Sequence, residues 1–183
     1  MNSSAESQPL DYCARIREIH RELGIPGDYA RRFQLPLRTE ADVLTSIGAD
    51  VYGRPQQLEP HAAERWQAMQ LQAQRDNVVL LVISAFRSVD SQRAVIARKL
   101  AAGKPMEEIL RVNAAPGYSE HHSGCALDLT TTGHNSLETG FETTQAFTWL
   151  SQQAAGFGFR LSYPRDNRHG IAYEPWHWAC MHA

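Results

Sequence analysis

Apolar positions recur at helical spacing in several stretches of the chain and run without interruption in one. From about Leu10 to Leu23, Tyr12, Ile16 and Ile19/His20 fall near one face of a helix, and Gly24 is its stop. A short helix is predicted over Glu40 to Ile47, ended by Gly48. Pro60 opens a stronger one, in which Ala62, Trp66, Met69 and Ala73 at i, i+4, i+7 and i+11 form a stripe that packs on a core. Between Asp76-Asn77 and Arg87-Ser88 the run Val78 to Phe86 is rich in β-branched residues, which predicts a central strand buried on both faces. Ser88 then reads as the N-cap of a helix from about Val89 to Ala101, with Asp90 favourable in its first turn. Gly103 and Pro105 close it, and a shorter helix follows through Leu110.

The C-terminal half alternates more quickly. Asn113 to Tyr118 is a loop, Cys125 to Thr130 a strand, Thr130 to Gly140 a polar loop, and Thr143 to Ala155 a helix turning Phe147 and Leu150 inward. Gly156 to Ser162 reads as a strand, Tyr163 to Gly170 as a turn-rich loop, and Ile171 to Cys180 as the last strand. The first residues, to about position 8, are polar and expected to fray, and the stretch between Gly24 and Thr39 is punctuated by turns. Helices first and short strands later give an α+β class: a central, mainly antiparallel sheet flanked by helices, with a helical N-terminal segment. Residues 1–58 form a helical and irregular extension packed on a domain of residues 59–183, and serve as scaffold or substrate wall.

Composition narrows the function. Hydrophobic content of 43%, charged content of 21% and a net charge of -2 are those of a soluble globular protein and give no reason to expect a nucleic-acid or anionic-membrane partner. No stretch reaches the ~18 apolar residues of a membrane span. The start has no basic region followed by an apolar run, so the expected compartment is the cytoplasm, or the periplasm if a leader has been lost. Cys13, Cys125 and Cys180 show no CxxC spacing and read as small buried thiols rather than a disulfide framework.

The chemistry concentrates in two short stretches. Ser119 to Asp128 places His121 and Asp128 close together with Gly124 between them, and Glu174-Pro175-Trp176-His177 adds a second carboxylate and imidazole. Two His and one Asp suffice for a zinc ion with a fourth position left open for water, and thiolates are not needed. His121, Asp128 and His177 are the candidate ligands, and Glu174 is the candidate general base. The spacings of seven and three are both odd, so neither pair shares a face of one regular strand; a turn or bulge at Gly124 and at Pro175 must intervene. Arg87, at the end of the buried run, is placed to stabilise an oxyanion or grip a carboxylate. His122 is a candidate for a supporting role, while His20, His61, His134, His169 and His182 read as ordinary surface or core residues.

Together these stretches resemble the VanY-type D-alanyl-D-alanine carboxypeptidases, in the wider group that includes lysostaphin and the hedgehog signalling domain. The signature S-x-H-x-x-G-x-A-x-D is met by Ser119, His121, Gly124, Ala126 and Asp128, and E-P-W-H by Glu174 to His177. The upstream S-x-[YF]-R-S-x-x-x-Q element is met by Ser84, Phe86, Arg87, Ser88 and Gln92, with Phe86 where Tyr is commoner. The resemblance covers about Pro60 to Cys180. It implies Zn2+ on His121, Asp128 and His177, Glu174 as catalytic base, Arg87 polarising the scissile carbonyl, and Ser119, Gln92 and Ser88 on the substrate side. The implied substrate is a peptidoglycan stem peptide or its precursor, which loses its terminal D-alanine. The same motifs serve L,D-carboxypeptidases and wall-peptide endopeptidases, and a zinc-binding module without catalysis is the further alternative.

Overall fold

The computed structural model describes residues 8–180, with side chains from Asp11 onward. The expected fraying of the first residues and the reading of His182 lie outside the described residues. Among the described residues six α-helices, three short 3-10 helices and six strands alternate with irregular segments.

Helix α1 (Gln8–Leu23) buries Ile16 and Ile19, and Gly24, with φ +72°, ends it. A short α2 (Tyr29–Phe33), within a stretch read only as turns, buries Tyr29 and Phe33. Helix α3 (Pro60–Arg75) forms as its apolar stripe requires. Glu59 accepts a hydrogen bond from the Ala62 amide at 3.1 Å, proline occupies the first turn, and Ala62, Trp66, Met69 and Ala73 are buried. Ser88 caps α4 (Val89–Ala101) by accepting from the Ser91 amide at 3.1 Å. Helices α5 (Met106–Arg111) and α6 (Gln145–Gln153) complete the set, and the Trp149 indole N–H donates to Asp76 at 2.7 Å, tying α6 to the end of α3.

The predicted helix over Glu40 to Ile47 does not form. Residues 45–49 are instead strand β1 (Thr45–Ala49), paired antiparallel with β2 (Pro55–Leu58). Thr45 and Ile47 are β-branched, Gly48 sits at φ +94°, and the Asp50 carboxylate gathers the Tyr52 and Arg54 amides into the connecting turn. The hairpin also lies against the next strand, since the Val51 amide donates to the Val82 carbonyl at 3.0 Å and Phe86 to Gln57 at 3.0 Å. This long-range pairing overrides local helix preference.

The main sheet has the order β3-β4-β6-β5 and is antiparallel throughout: β3 (Leu81–Ser84), β4 (Ala126–Thr130), β5 (Phe159–Leu161) and β6 (His177–Cys180). Two expectations are corrected. The run Val78 to Phe86 yields a four-residue strand at the sheet's edge, apolar because the β1–β2 hairpin covers that edge. The last strand begins at His177, because residues 171–176 form an irregular approach. Between the sheet and helices α3 and α6 lies the largest core, in which Trp66, Met69, Leu127, Leu129, Leu150 and Phe159 are fully buried. Each large side chain there contributes about 1.5–3 kcal/mol by leaving water. A second core sits beneath α2, α4 and α5, and Ile16, Ile19 and Val89 join α1 to α4. No helix among the described residues is long and apolar enough to cross a membrane.

Candidate metal centre

Strands β4 and β6 bring two of the candidate ligands opposite one another. Asp128 pairs with His177, while the flanking pairs exchange the ladder hydrogen bonds: the Leu129 amide donates to Trp176 and the Cys180 amide to Cys125. Asp128 and His177 thus occupy a pair without ladder bonds, where facing side chains approach most closely. The His177 Nδ1 lies 3.0 Å from Asp128 Oδ1.

His121 arrives from a one-turn 3-10 helix, Glu120–Ser123, that ends at Gly124 in the left-handed region with φ +69°. A Cβ at that position would also lie 2.8 Å from the Glu59 backbone nitrogen, so glycine is required twice over. The bend inferred from the odd spacing is therefore this helix end. Before His177 the turn runs from Glu174, whose carbonyl accepts from the His177 amide at 3.1 Å.

His121 Nδ1 is 2.6 Å from the Ala85 carbonyl, which can only accept, so this nitrogen carries the proton and Nε2 presents its lone pair 3.3 Å from Asp128 Oδ2. The ligating atoms of His121, Asp128 and His177 all lie within 4.8 Å of one another, and the three side chains are buried. Two imidazoles and one carboxylate, with one tautomer set by a backbone carbonyl, fit a borderline metal ion such as zinc. Burial disfavours a charged His177, but Asp128 and Glu120 on its two nitrogens outweigh this and push it up to about 10. Burial likewise opposes charge on Asp128, yet the two imidazoles hold that carboxyl well below its ordinary range.

Glu174 lies beside the cluster, its Oε2 4.0 Å from His177 Nδ1. Burial pushes its carboxyl up to about 7, with the Asp128 charge adding to the rise and His177, Arg87 and Lys99 opposing it. Arg87 is fixed at the end of β3: Nη1 donates to Gln92 at 2.9 Å, Nη2 donates to Ser84 at 2.9 Å, and Nη2 stands 3.7 Å from Asp128. These groups share one cavity of about 280 Å³, also lined by Ser119 and Lys99. Of the two loops that flank the site in sequence, one contributes Leu137 and the other Tyr163. A larger cavity of about 920 Å³ beside residues 37–43 and the start of α3 contains none of the cluster. The smaller one is the candidate site because the chemistry is there.

The substrate-side residues fare differently. Ser119 is buried and lines the cavity. Gln92 lines it too, but both ends of its amide are engaged, Nε2 donating to the Ala114 carbonyl at 2.6 Å and Oε1 accepting from Arg87. Ser88 is a correction: it does not line the cavity, because its hydroxyl caps α4 and donates to Ser91. His122 is fully buried and pins the loop, with Nδ1 2.6 Å from the Arg87 carbonyl and Nε2 accepting from the Gly117 amide at 3.1 Å.

Glu120 escaped the sequence reading. It is buried, its Oε2 2.9 Å from His177 Nε2, and the net effect of its surroundings holds it ionised: burial raises its carboxyl, but His177 brings it down to about 2. Its only sequence signal is its place between Ser119 and His121, at a variable position of the motif.

A family model described as VanY, D-alanyl-D-alanine carboxypeptidase, matches residues 55–182. The chain belongs to the VanY family. A D-alanyl-D-alanine carboxypeptidase of Enterococcus faecalis (strain ATCC 700802 / V583) is 32% identical over 116 residues, covering 58% of this chain and 41% of that protein. The chain spans between about a fifth and two thirds of the length of the curated relatives it matches. Among solved structures, the LdcB LD-carboxypeptidase superposes with a TM-score of 0.70 at 25% identity, covering 79% of this chain and 71% of that one. VanYB in complex with D-alanine-D-alanine gives 0.60 at 26%, covering 79% and 80%. The family match begins at residue 55, so most of the N-terminal segment lies outside it.

Proposed function

We propose that this VanY-family protein is a zinc-dependent carboxypeptidase that releases the terminal D-alanine from peptidoglycan stem peptides. The observation that carries the reading is one cavity holding the His121, Asp128 and His177 cluster together with an unshared carboxylate, Glu174, and a fixed guanidinium, Arg87. His121 through Nε2, Asp128, and His177 through the nitrogen facing Asp128 would hold the metal. Bound there, zinc supplies Lewis-acid polarisation of a carbonyl and acidification of water.

The chain's own groups do the rest. Glu174 needs to be ionised to take a proton from the attacking water, and it then passes that proton to the departing amine. Its burial keeps it a stronger base than an exposed carboxylate. Arg87, held on three sides before substrate arrives, meets negative charge developing on the scissile carbonyl oxygen without reorganising. Gln92 serves by holding Arg87. Ser119 offers a hydroxyl at the cavity wall to the substrate.

The likeness to an LD-carboxypeptidase favours a second reading, removal of a D-alanine that follows an L-configured centre in a tetrapeptide stem. Incubation of the zinc-loaded protein with pentapeptide and tetrapeptide stems, followed by mass analysis, separates the two. Loss of one alanine from the pentapeptide is expected. Loss from the tetrapeptide alone establishes the second reading instead, and loss from neither leaves a wall-peptide endopeptidase or a non-catalytic zinc module.

A further inference from the structure

The N-terminal segment, which shows no catalytic spacing and lies mostly outside the family match, reaches the metal cluster through one buried carboxylate. Glu120 Oε2 meets His177 Nε2 at 2.9 Å, on the edge of the ring away from Asp128. The other oxygen of Glu120 lies 3.5 Å from the Arg38 guanidinium. Arg38 belongs to the irregular stretch before β1 and is anchored at both backbone polar groups. Its amide donates to the Gly117 carbonyl at 2.7 Å, and its carbonyl accepts from the Tyr12 hydroxyl of α1. Glu120 and Arg38 line a separate small cavity of about 70 Å³ behind the ring, and Glu120 does not line the substrate cavity. It is therefore placed to act on His177 rather than on a substrate.

An ionised carboxylate only accepts, so the ring nitrogen facing it must carry a proton. A neutral His177 then has its lone pair on Nδ1, the nitrogen that faces Asp128. We propose that Glu120 is a positioning residue that fixes His177 as the Nε2–H tautomer with Nδ1 turned to the metal, and that Arg38 is the N-terminal segment's contribution to this site. The two histidines are thus oriented by unlike acceptors. A neutral carbonyl, Ala85, serves His121, while a carboxylate with its own cation serves His177. The carboxylate makes His177 the more basic ligand. Arg38 supplies the positive charge that lets the carboxylate stay beside the site without drawing the ligand's proton away. The Tyr163 ring, with its centroid 4.9 Å from that of His177, covers one face of the imidazole.

The inference rests on His121, Asp128 and His177 being metal ligands, and the test separates the two claims. Zinc affinity of the full chain is measured by competition with a chromophoric chelator for the parent, Glu120→Gln, Glu120→Leu and Arg38→Met. Histidine 15N spectra of the zinc-loaded proteins report which nitrogen of His177 carries hydrogen. The parent is expected to show Nε2–H on His177. Zinc binding weakens by about 10- to 100-fold in Glu120→Leu, with Glu120→Gln recovering part of the loss because its amide oxygen still accepts. Arg38→Met weakens it less, in the same direction. Should Glu120→Leu fail to fold, the near-isosteric Gln variant and Arg38→Met decide. A zinc-binding parent with hydrogen on His177 Nδ1, or with these two variants within about twofold of it, overturns the role of Glu120 and leaves the ligands standing. A parent that binds no zinc overturns both.

Discussion

The two faces of the β4–β6 pair are built from alternating residues of the same strands and solve opposite problems. On one face Cys125, Leu127 and Leu129 meet Trp178 and Cys180 and pack against α3 and α6. On the other, Asp128 and His177 point toward Arg87, His121 and Glu174. Both faces are buried. The apolar face gains from leaving water, in proportion to the area it hides. The charged face loses hydration and is tolerated because each ionised group has an opposite charge or a donor within reach. The first face therefore fixes the position of the second, and a strand period of two is what lets one ribbon do both.

That contrast is broken most completely at His177. In the proposed site His177→Ala removes a ligand while Trp178 and Cys180 keep their packing, so zinc content should fall to background and hydrolysis with it, at a cost in stability because Asp128 and Glu120 lose their shared partner. Elemental analysis alongside circular dichroism checks this, and a full complement of zinc in a folded variant removes His177 from the ligand set. Glu174→Gln comes next. It should retain zinc at the parent's stoichiometry and lose about 10²–10⁴-fold in turnover, because a base is gone and no ligand is. Turnover within tenfold of the parent would reassign the base.

On the apolar face the expected effect changes kind. Leu127→Ala leaves a cavity against α3 and should cost about 2–5 kcal/mol of stability. Zinc bound per folded molecule and turnover per folded molecule should stay near the parent's values. Denaturant unfolding with zinc titration reads both, and a loss of zinc affinity larger than the loss of stability explains would show that the faces are not separable.

The same contrast governs what could be read from the chain. Asp128, His121, His177 and Glu174 stood out because few residue types ligate zinc and these lie in two short clusters. Arg87 and Ser119 followed from a motif. The helix of the Trp66 and Met69 stripe was legible because its periodicity is local. Strand β1 was not, since its partner is β2 and the turn and β2 of that hairpin lie against β3, and neither contact leaves a mark on residues 40–49. The edge position of β3 was hidden for a related reason: a hairpin shields it, so its composition resembles a central strand's. Gln92 was assigned to substrate because sequence cannot show that its amide is consumed by Arg87 and Ala114. Glu120 was overlooked because a carboxylate beside a histidine is unremarkable until His177, fifty-seven residues later, is folded against it.

The smallest expected effect is also the one that probes the charged face directly. In the metal-free protein burial works against charge on His177, but Asp128 and Glu120 push it up to about 10 against an ordinary imidazole value near 6.5. A group whose folded value is raised stabilises the fold fully below its unfolded value and loses that contribution as pH rises through the folded one. The proton on His177 therefore supports the metal-free form at neutral pH, and zinc has to displace it. Between about pH 7.5 and 9.5, uptake should release about two protons per zinc, one from His177 and one from the water that zinc acidifies. Below about pH 7 the release should exceed one, because Glu174, pushed up to about 7 by burial, is partly protonated there and the arriving cation favours its ionised form. Calorimetry in chelator-buffered zinc, repeated in buffers of different ionisation enthalpy, counts the protons. On the apolar face Leu127→Ala should leave that count unchanged. A count near one across the upper window would mean that only the water gives up a proton and that His177 is already neutral in the metal-free fold, its single N–H donated to Glu120.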